Sequence, residues 1–218
     1  MNHAQLYADA KGRIVELVES ADIDTAVPAC PGWTVKDLIA HLAGGLGDFM
    51  ARRFEDAGSP EWGERQVRER RDRSLEDDLA EWDDNLAGAG STLESPMGGV
   101  IVTEIVLHEH DIRGALGRPG ERRSPAIEAA LASPLGEIDR RIREKGLPAL
   151  LVVSDEGERR LGESDPEATL RASSFELLRA ISGRRSADRL VALDWSGDPT
   201  PYLEVLGLFG TARSDLDE

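Results

Sequence analysis

Two of the four histidines in the chain stand where their side chains could bind a metal ion. His108 follows Glu104 by four residues, about one turn of an α-helix, so the two side chains can converge on one atom beside the helix. His108 also falls within an apolar stripe that runs from Val100 to Leu116, which turns both side chains inward or nearly so. An imidazole and a carboxylate at this spacing suit a metal ion.

His41 supplies a third candidate ligand from a second predicted helix, which starts after Thr34. It lies at the edge of the apolar stripe of that helix, and Gly45 one turn away leaves room beside its ring. An edge position can still point inward, because each helix of a bundle contacts two neighbours. The spacing therefore makes His41, Glu104 and His108 candidate ligands of one metal ion.

The residues around this set are interpreted as supporting rather than ligating. Asp111 lies one turn beyond His108 and could orient it through a hydrogen bond, whereas His110 points away from His108. Cys30 is interpreted as a small buried apolar side chain, too near the start of the second helix to reach a metal beside His41. A simpler alternative stays open: a core histidine satisfied by a carboxylate gives the same sequence pattern without a metal.

The elements that position these residues are amphipathic helices. Apolar residues recur at steps of three and four over about residues 4–20, 35–50, 75–88 and 97–116. Thr34 with Asp37 and Ser74 with Asp77 are typical of capping boxes at the start of two of these helices. The pattern predicts a four-helix bundle over residues 1–118, whose connection at 51–73 could carry a short extra helix or a lid.

A different pattern follows the segment 117–125, in which two prolines and two glycines indicate a linker. The predicted elements are a helix over 127–142, strands at 149–153 and 167–172, a helix from 174 to 181, a strand at 191–195 and a short helix over 203–209. Ser173 with Glu176 is typical of a capping box for the helix that ends before Gly183. The fold class is therefore mainly α, with a small α+β C-terminal domain over residues 124–218.

The charge of the chain disfavours several classes of partner. Its 218 residues include 26 basic and 42 acidic side chains, a net charge of −16, which repels nucleic acid and anionic membrane surfaces. No apolar stretch approaches the roughly 18 residues of a spanning helix, and the N-terminus shows no secretory signal pattern, so we expect a cytoplasmic protein. The single cysteine excludes an intramolecular disulfide.

The segment 27–42, VPACPGWTVKDLIAHL, resembles the signature V-P-x-C-P-G-W-T-V-x-D-L-x-x-H-L of the mycothiol-dependent maleylpyruvate isomerase family, a branch of the DinB-like metalloproteins. The segment 104–108, EIVLH, followed by Asp111, is similar to the E-x-x-x-H segment of that family. Residues 177–184 resemble the leucine-rich helix ending in Gly-Arg of its C-terminal domain. The resemblance implies a DinB-like four-helix bundle followed by that C-terminal domain.

The resemblance also implies a divalent metal, usually zinc, held by His41, Glu104 and His108, with open positions for water or a thiol. In the isomerase, the thiolate of mycothiol would add to the double bond of maleylpyruvate, and rotation and elimination would give the trans product. The resemblance nominates Arg184 as the catalytic cation that holds the substrate carboxylate. We therefore expect a mycothiol-dependent isomerase or thiol S-transferase acting on a small electrophile. The alternative is a non-catalytic metal-binding protein in which the same three ligands are structural or sensory.

Overall fold

Two units make up the fold in the computed structural model, which describes residues 2–208, 210, 212 and 216. The division falls between Pro119 and Gly120. The N-terminal unit is built of helices, and the C-terminal unit combines helices with a small sheet. The predicted fold class, mainly α with a small α+β part at the C-terminus, is confirmed. None of the described helices combines the length and the apolarity that crossing a bilayer requires.

The N-terminal unit contains four long helices and two shorter ones. In chain order they are α1 (His3–Val18), α2 (Val35–Ala51), α3 (Pro60–Arg70), α4 (Leu75–Gly88), α5 (Gly90–Leu93) and α6 (Gly98–Ala115). The long helices α1, α2, α4 and α6 are the four that the apolar periodicity predicts. Helix α2 packs against α3, α4 and α6, and α1 packs against α6. The connection 51–73 carries α3, the short extra helix that the sequence allowed.

Side-chain caps define where two of the bundle helices begin. Thr34 accepts a hydrogen bond from the Asp37 backbone, and the Asp37 carboxylate accepts one from the Thr34 backbone. Ser74 and Asp77 form the same reciprocal pair before α4. Each box satisfies two backbone N–H groups that the first turn of a helix leaves without partners. Aspartate therefore completes a capping box here, although its side chain is shorter than glutamate.

Two buried polar contacts connect α1 to other helices. The indole Nε1 of Trp82 donates a hydrogen bond to the Tyr7 hydroxyl at 2.8 Å, and the two rings pack edge to face. Burial raises the pKa of the Tyr7 hydroxyl above its ordinary value, so the group stays protonated. Glu109 on α6 binds Arg13 on α1 through both carboxylate oxygens and also pairs with Arg113. The contact of Tyr7 with Trp82 joins α1 to α4, and the pair of Glu109 with Arg13 joins α1 to α6, the helix that carries two of the predicted metal ligands.

The C-terminal unit places a four-stranded sheet beside helices. Its elements are α7 (Pro125–Glu144), β1 (Ala149–Ser154), β2 (Gly157–Leu161), β3 (Pro166–Arg171), α8 (Ser174–Ile181), α9 (Ala187–Val191), β4 (Asp194–Ser196) and α10 (Thr200–Leu206). The strand order is β2-β1-β3-β4, with β1 and β3 parallel and the other pairs antiparallel. Helix α7 packs against α8, β2 and α10.

Two predicted elements of this unit need correction, and one strand was missed. Strand β2 was not predicted, because four of its five residues are exposed and it shows no apolar alternation. The predicted strand at 191–195 begins only at Asp194, since Val191 ends α9. The predicted helix at 203–209 is α10, which starts earlier, at Thr200, and ends earlier, at Leu206, while residue 209 lies outside the described residues.

The predicted capping box before α8 is wrong in one of its two hydrogen bonds. Ser173 accepts from the Glu176 backbone as expected. The Glu176 carboxylate instead receives two hydrogen bonds from Arg185, at 2.9 and 3.0 Å. Burial would raise the pKa of Glu176, but the Arg185 guanidinium outweighs this and holds the pKa below its usual range.

Candidate metal centre

The three predicted metal ligands come together where α2 packs against α6. His41, Glu104 and His108 each bring one ligand atom into a group whose members lie within 4.8 Å of one another. The Nε2 atom of His41 lies 3.1 Å from the Oε1 atom of Glu104, and the two imidazole rings meet edge to face with centroids 5.0 Å apart. Both histidines are buried and Glu104 is partly exposed. That these side chains hold a metal stays a prediction.

A buried glutamine orients the ring of His41. Its Nδ1 atom lies 2.6 Å from the Gln66 Oε1 atom, while the Gln66 amide nitrogen donates to Asp48 at 2.8 Å. A carboxylate only accepts hydrogen bonds, so the contact with Asp48 fixes which end of the Gln66 amide faces His41. The amide oxygen then requires a proton on Nδ1 of His41. The lone pair of the neutral ring is therefore on Nε2, facing Glu104.

His108 is oriented by a carboxylate in the same way. Its Nδ1 atom lies 3.0 Å from the Oδ2 atom of the buried Asp111. Asp111 thus has the orienting contact that its spacing from His108 predicts. A proton on Nδ1 leaves Nε2 of His108 as the nitrogen with a lone pair, and carboxylate partners of this kind are common behind metal-binding histidines.

Cys30 contacts the predicted ligand His108, but it groups with His108 and Asp111 and not with His41 and Glu104. Its Sγ atom is 3.6 Å from the Oδ2 atom of Asp111 and 4.0 Å from Nδ1 of His108. The prediction considered only the distance along α2 between Cys30 and His41. The turn before α2 is closed by a bridge between Ala26 and Thr34, and Cys30 at its tip contacts α6 across the bundle.

Aromatic rings cover the remaining faces of His41. Trp33 packs on its imidazole with centroids 5.0 Å apart, and Trp62 from α3 packs edge to face at 5.8 Å. Trp33 lies in the turn before α2, and this turn places its ring directly over His41. A Cβ atom at Gly63 would lie 2.9 Å from the Trp33 ring, so glycine there permits the close approach of α3. These rings keep bulk water from the imidazole.

Helix α3 contributes buried side chains to the site that the apolar pattern does not predict. Trp62, Gln66 and Arg70 are all buried and follow one another at steps of four, which is one face of a helix. This face is aromatic and polar rather than apolar, so a search for apolar periodicity passes over it. The spacing of four between Trp62 and Gln66 is the signal that could have found it.

Arg184, the predicted catalytic cation, lies in the C-terminal unit just after α8. It is partly exposed, and its Nη1 atom donates to the Ser182 carbonyl at 2.7 Å. The neighbouring Arg185 is buried and engaged by Glu176. Arg185 therefore forms a structural ion pair with Glu176. Arg184 stays the residue that we predict to bind the substrate.

Replacing Gln66 by leucine is expected to weaken metal binding about 10–100-fold, the usual cost of losing a group that orients a ligand. Leucine has no acceptor for Nδ1–H of His41, so the ring loses its fixed tautomer and orientation. Competition against a chromophoric zinc chelator measures the effect. Gln66→Glu keeps an acceptor and should bind metal more tightly than Gln66→Leu. Equal affinity of folded Gln66→Leu and wild type would contradict the orienting role.

Comparison with known proteins agrees with the resemblance described above. Residues 5–95 match the family model for the mycothiol maleylpyruvate isomerase N-terminal domain. The predicted resemblance is thus confirmed. The matched range includes His41 and Gln66 and ends before Glu104 and His108. Comparison with curated proteins found no match.

Two solved structures share the fold. One is a crystal structure of the mycothiol-dependent maleylpyruvate isomerase, with a TM-score of 0.56 at 16% identity, covering 84% of this chain and 88% of that one. The other is a histidine-to-alanine mutant of a mycothiol-dependent maleylpyruvate isomerase, with a TM-score of 0.55 at 15% identity, covering 83% and 88%. At these identities the likeness establishes the fold.

Proposed function

We propose that this protein is a metal-dependent enzyme that uses mycothiol to isomerise maleylpyruvate or to attack a related small electrophile. The observation that carries the proposal is the orientation of the two imidazoles. Gln66 and Asp111 each accept a hydrogen bond from the Nδ1–H group of one ring, which leaves both Nε2 lone pairs available beside the Glu104 carboxylate. The matched family and the shared fold both concern mycothiol-dependent maleylpyruvate isomerase.

The donor set fits a divalent cation, which we propose to be zinc. Two neutral imidazoles and one carboxylate are a ligand set of catalytic zinc sites, in which a fourth position is left for water or substrate. When bound, such an ion lowers the pKa of a coordinated thiol and so makes a thiolate available at neutral pH.

The chain itself contributes binding and orientation. His41, Glu104 and His108 would hold the ion, and Trp33 and Trp62 shield the His41 ring from bulk water. The partly exposed Glu104 marks the side of the group that faces solvent, where a thiol and an electrophile could enter. We propose a cytoplasmic location, where low-molecular-weight thiols stay reduced.

The experiment that tests the proposal combines metal analysis with a turnover assay. Protein purified without chelators should contain about one divalent ion per chain by elemental analysis. Adding mycothiol and maleylpyruvate should then give the trans product at a rate that depends on the thiol, and Glu104→Gln should abolish it. If maleylpyruvate fails, consumption of mycothiol with a panel of electrophiles tests the transferase form. Bound metal without thiol consumption would instead support the non-catalytic alternative.

Arg184→Ala is expected to lower kcat/KM for a carboxylate substrate by about 10–100-fold, because a charge-assisted hydrogen bond contributes about 1.5–3 kcal/mol. The highly acidic chain repels a dianionic substrate, so a local cation has a large effect. Metal content and turnover of an uncharged electrophile should not change. Arg160→Ala, which removes an exposed cation from β2, is the matched control. An equal fall with the uncharged electrophile would remove Arg184 from substrate binding.

A further inference from the structure

The outer side of His108 carries a second group of potential metal ligands. The Sγ atom of Cys30 lies 3.6 Å from the Oδ2 atom of Asp111 and 4.0 Å from the Nδ1 atom of His108. The Asp111 Oδ2 and His108 Nδ1 atoms are 3.0 Å apart. All three atoms lie within 4.8 Å of one another. They face Nδ1, whereas the group with His41 and Glu104 uses the opposite ring nitrogen. We call Cys30, Asp111 and His108 the outer group, and His41, Glu104 and His108 the inner group.

We propose that the outer group is a second metal position, which takes a thiophilic divalent cation such as Zn²⁺, Cd²⁺ or Co²⁺. A tetrahedral site with a metal–sulfur distance of about 2.3 Å and metal–nitrogen or metal–oxygen distances of about 2.1 Å places its ligand atoms about 3.3–3.7 Å apart. The three observed separations lie within about 0.4 Å of this range. Small side-chain adjustments therefore suffice to bind an ion.

The chemistry of the three donors favours a soft ion. A thiolate selects zinc and cadmium over magnesium and calcium, and the carboxylate adds a second negative charge. Binding displaces the Cys30 thiol proton and moves the proton of the neutral His108 ring from Nδ1 to Nε2, so uptake of one ion releases one proton. Cys30 is partly exposed while Asp111 is buried, so the sulfur edge of the group faces solvent.

The two positions share one imidazole and therefore compete. A neutral ring has a single lone pair, on either Nδ1 or Nε2. When His108 uses Nδ1 toward the outer group, its Nε2 atom carries the proton and no longer serves the group with His41. An excess of thiophilic metal should for this reason draw His108 away from the inner ligands. Disabling the inner group should strengthen the outer position.

Titration of the full chain with Co²⁺ tests this proposal, because a thiolate bound to Co²⁺ gives a charge-transfer band in the near ultraviolet. The chain has one cysteine, so the band reports on Cys30 alone. We expect the band in wild type. We also expect it in His41→Ala, which keeps the outer group, at no more than one tenth of the Co²⁺ concentration that wild type requires. Cys30→Ser should remove it, and Asp111→Asn should require at least tenfold more Co²⁺.

Absence of the band from folded His41→Ala at saturating Co²⁺ would overturn the proposal. A band that appears at the same Co²⁺ concentration in Asp111→Asn as in wild type would also overturn the proposal. It would show that Cys30 binds the metal without the Asp111 carboxylate. If Asp111→Asn does not fold, the rate of Cys30 alkylation in wild type gives a second readout, and Cd²⁺ should slow it at least tenfold. Metal binding by Cys30→Ser tests the inner group separately, so the two proposals can fail independently.

Discussion

His108→Ala is expected to abolish stoichiometric metal binding. The substitution removes the only ligand that both the inner and the outer group contain. The inner group is left with His41 and Glu104, and two ligands hold a divalent ion far more weakly than three. Calorimetric titration with Zn²⁺ should show one tight site in wild type and none in the variant. Because an ion that binds only the folded state raises its stability, the Zn²⁺-dependent rise in Tm should disappear as well.

His3→Ala is the matched control for this loss. It removes a histidine from the same unit, at the start of α1, where the ring contacts the Leu93 carbonyl. This variant should keep wild-type affinity and the Zn²⁺-dependent rise in Tm. A folded His108→Ala protein whose affinity stays within tenfold of wild type would show that the metal is held elsewhere in the chain.

The inner group was accessible to sequence reasoning because local spacing determines most of it. Glu104 and His108 are one turn apart, and helical periodicity places both on the inward face of α6 without any knowledge of the partner helix. His41 needed one further step, the assumption that the edge of the stripe on α2 faces a neighbour. The capping boxes at Thr34 and Ser74 were equally local, since all of their atoms lie within one turn.

The residues around the group depend on tertiary contacts that no local pattern encodes. Gln66 reaches His41 across 25 residues, and Cys30 reaches Asp111 across 81. The outcome for Cys30 shows the limit most clearly, because the prediction considered only its distance from His41, whereas its side chain contacts Asp111 and His108 on α6. Strand β2 was missed because it is an exposed edge strand. Only one of its residues, Leu161, is buried, so it shows no alternation of apolar and polar residues.

Glu109, the residue next to His108, is expected to affect stability instead of metal binding. Its side chain is 1% exposed and faces α1, where it accepts hydrogen bonds from Arg13 at 2.8 and 2.9 Å. Arg113 adds a second pairing at 2.9 Å. His108 faces α2 instead, against the ring of His41. Two adjacent residues of α6 therefore have different roles. Glu109 binds α6 to α1, and His108 contributes to the predicted metal site.

Glu109→Ala should lower the free energy of unfolding by about 3–5 kcal/mol, because removing one partner of a buried ion pair leaves the other charges without its compensation. Urea unfolding measures the loss, and Glu109→Gln, which keeps the size and one acceptor oxygen, should lose less. At temperatures where the alanine variant stays folded, its Zn²⁺ affinity should match wild type. A loss below about 1 kcal/mol would show that the pair with Arg13 does not stabilise the bundle. Loss of Zn²⁺ binding by the folded variant would show instead that the Glu109 contacts hold His108 in place.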